Sequence, residues 1–464
     1  MYRRDLVTFT LLALLLSSAC LAGDDDNATK APPQPVARKP AAKEPAAETA
    51  PPAPPQRGTD LYRLSIEELM QIQFATVTTP SKYPETVTVA PGTTLVIDSR
   101  DILLRGYSNL KDVLRDLPGM ETIEFYHTEY GTQLPVRGIV GNNKVIYLVN
   151  GMRVNPPAGE EMPLRSDFSV RQAEQIEVTY GPGSTLYGQD AFSAVVNVKT
   201  LKPQDGFNIE VGGFGGLRNE REAWGAARHV FDKKRKISLS AYFQYHDSDL
   251  TPLDEAYPSY WSDFEAQARP RGEGAEPFRK DFGINGFGRL EIGESSIQVW
   301  HRESERSSSE GILPTFGFLD EAIWRDRSTV IEAKNVLSIS NKIKLDSIFT
   351  YHRYEIDPDT RFVFPASPTE WFLNDFKYGI GHSYSLEEVL RVEITNTLSL
   401  LSGVIATRHD SIPKATVPGG AHSSGDIVEQ AGSFVFFTEA GNPASRTEAP
   451  RASEVQWENY GGYV

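Results

Sequence analysis

The chain has 464 residues, with 47 basic and 62 acidic side chains and a formal net charge of −15. This balance argues against a dedicated nucleic-acid-binding protein, which would need a basic face. A single cysteine excludes an intramolecular disulfide framework and Cys-rich zinc modules. The His residues at 246, 301, 352 and 382 are scattered without ligand spacing, so no metal site is predicted.

The first residues have the order of an export signal. Two arginines, Arg3 and Arg4, precede the apolar run Leu11–Leu16, and small residues follow. This order predicts a secretory signal peptide over residues 1–22, cleaved after Ala22. An alternative is lipidation, because the only cysteine, Cys20, ends a Ser-Ser-Ala-Cys stretch that resembles a bacterial lipobox. In either case, the mature protein begins near this point.

Residues 23–60 read as a linker. Positions 31–55 hold 9 Pro and 8 Ala, a composition that cannot bury a hydrophobic core. The segment is therefore predicted to be an extended periplasmic spacer or simply disordered. Both interpretations separate the folded part of the protein from its processed N-terminus.

A small α+β domain is predicted over residues 61–203. Ser65 and Glu68 form a capping box for a short helix that ends near Ile72. A second helix is predicted at Asn109–Asp116, because its leucines and valine form one apolar stripe before Pro118-Gly119. The dipeptide Asn150-Gly151 predicts a two-residue hairpin turn. Four strands are predicted, at Thr94–Ile97, Lys144–Val149, Gln175–Tyr180 and Ala194–Lys199.

Residues 204–464 change to long strands of alternating apolar and polar side chains. About ten strands are predicted, near 207–215, 222–230, 236–247, 281–292, 296–304, 327–339, 342–355, 379–393, 397–408 and 455–464. Links after even-numbered strands are short, and links after odd-numbered strands are mostly long. This segregation is typical of an outer-membrane barrel, with short periplasmic turns and long extracellular loops. A soluble all-β domain is the alternative.

Four ordered blocks in the first domain carry a family resemblance. They are Asn109–Gly119 (NLKDVLRDLPG), the Arg137-Gly138 pair with Gly141-Asn142, Val145–Asn155 (VIYLVNGMRVN) and Glu174–Thr200. With the strands that follow, residues 61–464 resemble TonB-dependent outer-membrane receptors. The resemblance implies an α+β plug at 61–203, followed by an antiparallel transmembrane β-barrel of the 22-stranded type. Residues 204–464 would then be a partial barrel.

The resemblance also implies a function. Such receptors bind a scarce solute, for example an iron chelate or cobalamin, and a TonB-type inner-membrane protein drives its uptake. The implied partners are that protein, outer-membrane lipid and a small-molecule or metal-chelate ligand, with no nucleic acid and no cofactor. The first alternative is a non-transporting surface receptor or adhesion module on the same scaffold, and the second is a non-functional truncated product. No nucleophile–base set or phosphate loop appears in the sequence, so an enzyme is not expected.

Candidate segments for the inner-membrane partner are short, extended and rich in Thr and Val. One consists of Glu85, Thr86, Val87, Thr88, Val89 and Ala90, and its rival is Phe74–Thr79. Either could add as a strand to an exposed sheet edge. The sequence does not choose between them.

Other candidate residues concern the plug itself and the ligand. Arg137 and Arg153 are predicted to lock the plug to barrel carboxylates, for which Glu210, Glu291 and Glu332 are the candidates. Tyr180 stands where the family usually has the second lock arginine, and the turn Gly181-Pro182-Gly183 follows it. Aromatic residues predicted to meet the ligand, or to form an extracellular girdle, are Tyr257, Tyr260, Trp261 and Phe264, with Phe316, Phe318 and Trp324 in the next loop.

The size of the two parts predicts an incomplete chain. A plug of about 143 residues has a radius of gyration of roughly 14–15 Å. A barrel of about ten tilted strands has a backbone radius of only about 10 Å. Because the plug would not fit inside such a barrel, we expect the sequence to be a fragment or a natural truncation.

Overall fold

The protein is described by a computed structural model, which is limited to part of the chain. The described residues are 76–80, 82, 85–87, 92–124, 132–157, 159–188, 190–217, 219–249, 255, 258–259, 262, 280–307, 323–357, 360–364, 373–395, 398–417, 427–430, 433–436, 452–453 and 455–463. The predicted leader, linker and first helix lie outside these ranges. Within them, no helix is long and apolar enough to cross a membrane.

The α+β domain, which we call the plug, is built on a small mixed sheet. Its described strands, β1 to β9, are Thr76–Val77, Glu85–Thr86, Thr93–Asp98, Ile123–Glu124, Thr132–Gln133, Val145–Val149, Met152–Arg153, Ala173–Tyr180 and Ala194–Thr200. Five of them form one sheet in the order β3-β8-β9-β6-β7, in which β6 and β9 run parallel. The pairs β1–β2 and β4–β5 are separate ribbons. The four strands predicted for this domain are confirmed.

The predicted hairpin turn and second helix are also confirmed. Asn150 and Gly151 join β6 to β7, and both have positive φ, 49° and 85°, as a primed hairpin turn requires. Helix α2, Leu110–Arg115, begins at Asn109, whose side chain accepts a hydrogen bond from the Asp112 backbone N–H. It buries Leu110, Val113 and Leu114. A one-turn helix, α3, follows the glycine turn at Ser184–Tyr187.

Helix α1, Ser99–Arg105, was not predicted. Its Asp98 cap accepts a hydrogen bond from Asp101, and Gly106 ends it in the left-handed conformation. The helix buries only Ile102, while Leu103 and Leu104 are exposed. Because it has no apolar stripe, hydrophobic spacing could not reveal it, and only its capping residues signal it.

The second part is a sheet of long antiparallel strands, which we call the wall. Its strands β10 to β19 and β23 are Phe207–Gly215, Arg221–Asp232, Ile237–Ser248, Asp281–Ile292, Ser295–Ser307, Ile323–Ser340, Ile343–Ile356, Arg361–Phe364, Leu373–Glu393, Ser399–Val417 and Val455–Tyr463. Ten of them pair in the order β10-β11-β12-β13-β14-β15-β16-β18-β19-β23, and β17 pairs beside β18. The strands β20 to β22, at Ile427–Gln430, Ser433–Phe436 and Ala452–Ser453, form a separate sheet.

The wall has the predicted alternation and the predicted segregation of link lengths. On β12, Tyr242 and Gln244 are buried while Phe243 between them is exposed. The links at 233–236, 293–294, 341–342 and 394–398 are short, whereas 249–280, 308–322 and 418–454 are long. The predicted fold class, a plug followed by about ten antiparallel strands of an outer-membrane barrel, is therefore confirmed.

Plug and wall share one hydrophobic core. It contains Leu110, Tyr147 and Phe168 from the plug together with Trp300 and Val330 from the wall. All five side chains are essentially inaccessible to solvent. The inward face of β12 to β15 therefore covers the plug and positions the polar contacts between them.

Candidate functional site

A buried cluster of charges joins the plug to β14 and β15. We call it the anchor cluster, and its members are Arg165, Asp167, Arg302, Ser304 and Asp326. Arg302 pairs through Nε with Asp167, and its Nη1 lies 2.6 Å from Asp326 Oδ2. Arg165 Nη1 lies 2.8 Å from Asp326 Oδ1. All four charged side chains are buried, so each needs the attraction of its ion-pair partners to offset the free energy of removing it from water.

The hydroxyl of Ser304 completes the anchor cluster. It accepts from Arg165 Nη1 at 2.7 Å and from Arg302 Nη2 at 3.0 Å, and it donates to Asp326 Oδ1 at 3.0 Å. Hydrogen bonds of this kind make a buried ion pair more favourable, because they give further donors and acceptors a partner. The cluster thus ties two plug residues to two neighbouring wall strands.

The plug loop that carries Arg165 and Asp167 lies very close to β13. A Cβ built at Gly283 would lie 2.4 Å from Asp167 Cβ, so a larger residue could not occupy this position without displacing the loop. In the same loop, Ser166 donates to Asp281 at 2.8 Å, and Phe168 packs against Trp300 with ring centroids 5.6 Å apart. Residues 165–169 of the plug therefore contact β13, β14 and β15.

A second ionic contact joins the plug to β11. Arg171 pairs through Nε with Glu222, and its guanidinium lies 4.1 Å from the ring centroid of Trp224. This cation–π contact adds to the ion pair at a partly buried site. On β12, Tyr242 shares a 2.6 Å hydrogen bond with Ser169. Residues 165–171 of the plug thus contact five successive wall strands, β11 to β15.

The predicted lock arginines make other contacts in the structure. Arg153 Nη2 lies 2.7 Å from Asp190 within the plug. Arg137 lies over the ring of Tyr180, 4.8 Å from its centroid, and the Tyr180 hydroxyl donates to the Pro118 carbonyl at 2.8 Å. Tyr180, which stands where the resemblance implies an arginine, therefore makes a cation–π contact with Arg137.

The candidate wall carboxylates also have partners on the wall. Glu210 lies 3.5 Å from Arg228, Glu291 lies 2.9 Å from Arg289, and Glu332 accepts from Gln298 at 2.8 Å. The ionic contacts between plug and wall described above instead use the anchor cluster and Arg171. Sequence reasoning missed these residues. Strand alternation was a usable signal. Arg302 lies two residues after Trp300, and Asp326 lies two residues after Trp324, so each charged side chain is on the same inward face as a tryptophan.

The N-terminal edge of the plug holds one of the two candidate partner segments. Glu177 on β8 accepts from the backbone N–H groups of Thr78, at 3.0 Å, and Thr79, at 2.9 Å, and from the Thr79 hydroxyl. Lys199 pairs with the same carboxylate. Burial opposes ionisation of Glu177, but the hydrogen bonds from Lys199 and Thr79 outweigh it, so the pKa of this carboxyl lies below its ordinary value.

Other contacts hold the same segment. Gln175 donates to the Thr76 carbonyl at 2.9 Å, and the Tyr187 hydroxyl donates to the Thr79 carbonyl at 2.9 Å. Just after this segment, Lys82 Nζ lies 2.6 Å from Glu387 Oε1 of the wall. In the rival segment, Glu85 and Thr86 form β2, which pairs with β1, and Val87 follows, while Thr88, Val89 and Ala90 lie outside the described residues. The two candidates are thus partners in one ribbon.

Several predicted residues are not described. Cys20, Phe74, Tyr257, Tyr260, Trp261, Phe264, Phe316 and Phe318 lie outside the described ranges. Trp324 lies inside β15, where it packs with Tyr354 and Ile356 in a small buried cluster. Its expected place in an extracellular loop is therefore wrong, because β15 begins at Ile323. No group of His, Cys, Asp and Glu suited to a metal ion occurs among the described residues.

Comparisons with known proteins agree with this architecture. Residues 86–195 match the model of the TonB-dependent Receptor Plug Domain. The vitamin B12 transporter BtuB of Vibrio vulnificus (strain CMCP6) is 27% identical over 175 residues, which are 38% of this chain and 28% of BtuB. The pyoverdine outer-membrane receptor FpvA from Pseudomonas aeruginosa PAO1 is similar in structure, with a TM-score of 0.59 and 14% identity.

The match with FpvA covers 83% of this chain and 55% of FpvA. BauA, the ferric preacinetobactin receptor from Acinetobacter baumannii, is similar over 83% of this chain and 57% of its own, with a TM-score of 0.53 and 11% identity. The chain thus spans about half the length of these receptors. Plug and wall together have the plugged-barrel fold of these outer-membrane receptors. Residues 86–195 are a plug domain of the TonB-dependent receptor type, and the chain has the fold of these receptors and is located in the outer membrane.

Proposed function

We propose that the protein is a receptor and transporter that takes up a scarce solute across the outer membrane, driven by a TonB-type protein of the inner membrane. The observation that carries this proposal is the plug, which is packed against the wall through a shared core and buried ion pairs. A plug of this kind closes the lumen until work is done on it. The proposal assigns the chain no catalytic step.

The N-terminal ribbon supports the energy-coupling part of the proposal. Strands β1 and β2, at Thr76–Val77 and Glu85–Thr86, are short extended stretches at the start of the described plug. An extended segment is suited to adding as a strand to a partner's sheet edge. The segment is held by a few hydrogen bonds to Glu177, Gln175 and Tyr187, which a pulling force can break one after another. We propose this ribbon as the contact for the inner-membrane protein.

The proposed ligand is a small molecule or metal chelate. The names of the similar proteins refer to vitamin B12, pyoverdine and ferric preacinetobactin. We propose a ligand of the same general size, either an iron chelate or a cobalamin-like compound. Its docking site would include the aromatic residues predicted for the long loops, Tyr257, Tyr260, Trp261 and Phe264.

Deletion of residues 74–90 tests the proposal. A matched control deletes 17 residues from the linker, residues 31–47. We expect the first deletion to abolish uptake of a limiting nutrient by whole cells while leaving surface binding of the same compound intact, and the control to change neither. If uptake is unaffected by both deletions, the protein is instead a non-transporting receptor or adhesion module. A panel of iron chelates and cobalamin as sole nutrient sources identifies the ligand.

A further inference from the structure

The wall presents two chemically different surfaces to the plug loop 165–169. On β14 and β15, the charged groups of the anchor cluster are paired with plug residues. On β12 and β13, the plug's polar contacts among the described residues include the hydroxyl hydrogen bonds of Ser169 with Tyr242 and of Ser166 with Asp281. The same loop is therefore bound tightly on one side and weakly on the other.

Two amide side chains lie between these weak contacts, and we call them the seam. Gln244 on β12 and Asn285 on β13 are direct register partners, and each is only 1% exposed. Neither the amide oxygen nor the amide nitrogen of either residue has a hydrogen-bond partner among the described residues. Four buried polar atoms without a protein partner among the described residues thus lie at one place.

The plug encloses the seam from both ends. On β12, Tyr242 precedes Gln244 on the same face and bonds to Ser169. On β13, Gly283 precedes Asn285 on the same face and lies directly against Asp167. The amides are consequently shielded from water by the seated plug loop. A buried amide that has lost water and gained no partner costs free energy, which is recovered when water returns.

The two surfaces therefore respond differently when the plug moves. Separation from β14 and β15 leaves buried charges without partners, which is strongly unfavourable. Separation from β12 and β13 breaks the hydroxyl hydrogen bonds of Ser169 and Ser166 and lets the four amide atoms of Gln244 and Asn285 be solvated. The Arg171–Glu222 pair on β11 lies next to the seam, on the side away from the anchor cluster.

We propose that the plug parts from the wall at the seam, along β12 and β13, and that Gln244 and Asn285 set how readily this happens. The passage for the solute then opens between the Arg171–Glu222 pair and the anchor cluster, which keep the plug attached on both sides. This inference deepens the proposed transport function and rests on it. The unpaired amides act as positioning residues that lower the work of opening.

Replacement of both amides by leucine tests the seam in the purified protein. The double variant Gln244→Leu with Asn285→Leu removes the unpaired polar atoms and fills both positions with apolar side chains. We expect hydrogen exchange at the amides of Phe168, Ser169 and Val170 to slow by about tenfold. The matched control is Gln298→Leu on β14, whose amide is hydrogen-bonded to Glu332 and should not slow exchange in the loop. Unchanged or faster exchange in the double variant overturns the proposal.

Cysteine labelling in living cells is a second test of where the plug parts from the wall. It does not depend on how introduced leucine side chains pack. The only native cysteine, Cys20, lies in the predicted leader, so a single introduced thiol reports alone. Asn285→Cys on the seam is compared with Ser328→Cys, which is buried on β15. We expect a small thiol reagent to label position 285 faster when the inner membrane is energised than after a protonophore, and position 328 equally in both states. Energy-dependent labelling at 328 but not at 285 overturns the proposal.

The two measurements separate this inference from the proposed function. If the protein takes up no nutrient and labelling ignores the energy state, the transport proposal fails. Hydrogen exchange in the purified double variant still decides whether the seam weakens the seating of the plug. Slower exchange there with reduced uptake supports both proposals together.

Discussion

We expect substitutions of the buried charged residues between plug and wall to have the largest effects on stability. Arg302 holds Asp167 and Asp326 at once, and all three are buried. The variant Arg302→Met would leave both carboxylates with fewer partners and should destabilise plug seating by about 3–5 kcal/mol. The measurement is the urea midpoint of a tryptophan fluorescence transition.

The control for this prediction is Arg228→Met on β11. Its partner Glu210 is half exposed and 3.5 Å away, so the loss should be about 0–1 kcal/mol. Equal shifts of the midpoint in the two variants would show that the anchor cluster contributes no more than a surface pair.

The glycine turn after β8 should be intolerant of side chains. Gly181 has a φ of 102°, and a Cβ at Gly183 would lie 2.8 Å from Val195 Cγ2. We expect Gly181→Val or Gly183→Val to lower the amount of protein assembled in the outer membrane more than Ser184→Ala, which loses one hydrogen bond to the Ala191 carbonyl. Immunoblots of outer-membrane fractions give the amounts, and three equal levels would refute the prediction.

At the scale of elements, the attachment of the ribbon to β8 should depend on pH. The pKa of Glu177 lies below its ordinary value of 4.5, so ionised Glu177 stabilises the seated segment. This contribution is complete above about pH 4.5 and is lost as the pH falls through the depressed pKa. We expect the amides of Thr78 and Thr79 to lose exchange protection in acid, after correction for the intrinsic pH dependence of exchange.

The variant Glu177→Gln should weaken protection at neutral pH and remove its acid dependence, because glutamine cannot pair with Lys199. Glu174→Gln on the same strand is the matched control, since its pair with Lys202 is 3.4 Å long and largely exposed. Identical pH profiles in wild type and Glu177→Gln would mean that another group holds the segment.

Sequence reasoning could predict an element only when the residues that signal it lie close together in the chain. The turn at Asn150-Gly151 and helix α2 were predicted, because turn chemistry and an apolar stripe are visible within a few residues. Helix α1 was missed, since only Ile102 is buried and the helix depends on its caps. Trp324 was placed in a loop because aromatic residues alone do not mark where β15 begins.

At the scale of the whole molecule, the outer face of the wall requires lipid. Phe243, Ile297 and Leu386 are exposed on strands whose opposite faces cover the plug. Apolar side chains on such a face are stable in a bilayer and unfavourable in water. We expect the mature protein to be extracted from the outer-membrane fraction only by detergent, as cell fractionation can show. Recovery as a soluble periplasmic protein would contradict this.

The sequence by itself determined the architecture of this protein: a plug, then long antiparallel strands with short links at one end and long links at the other. Side-chain alternation and turn residues are local, so they can be read along the chain. Tertiary structure alone decided which charges meet. Asp167 and Arg302 are 135 positions apart, and Arg165 and Asp326 are 161 apart. Their pairing depends on strand register and on how the plug loop docks against Gly283, and neither leaves a local pattern in the sequence.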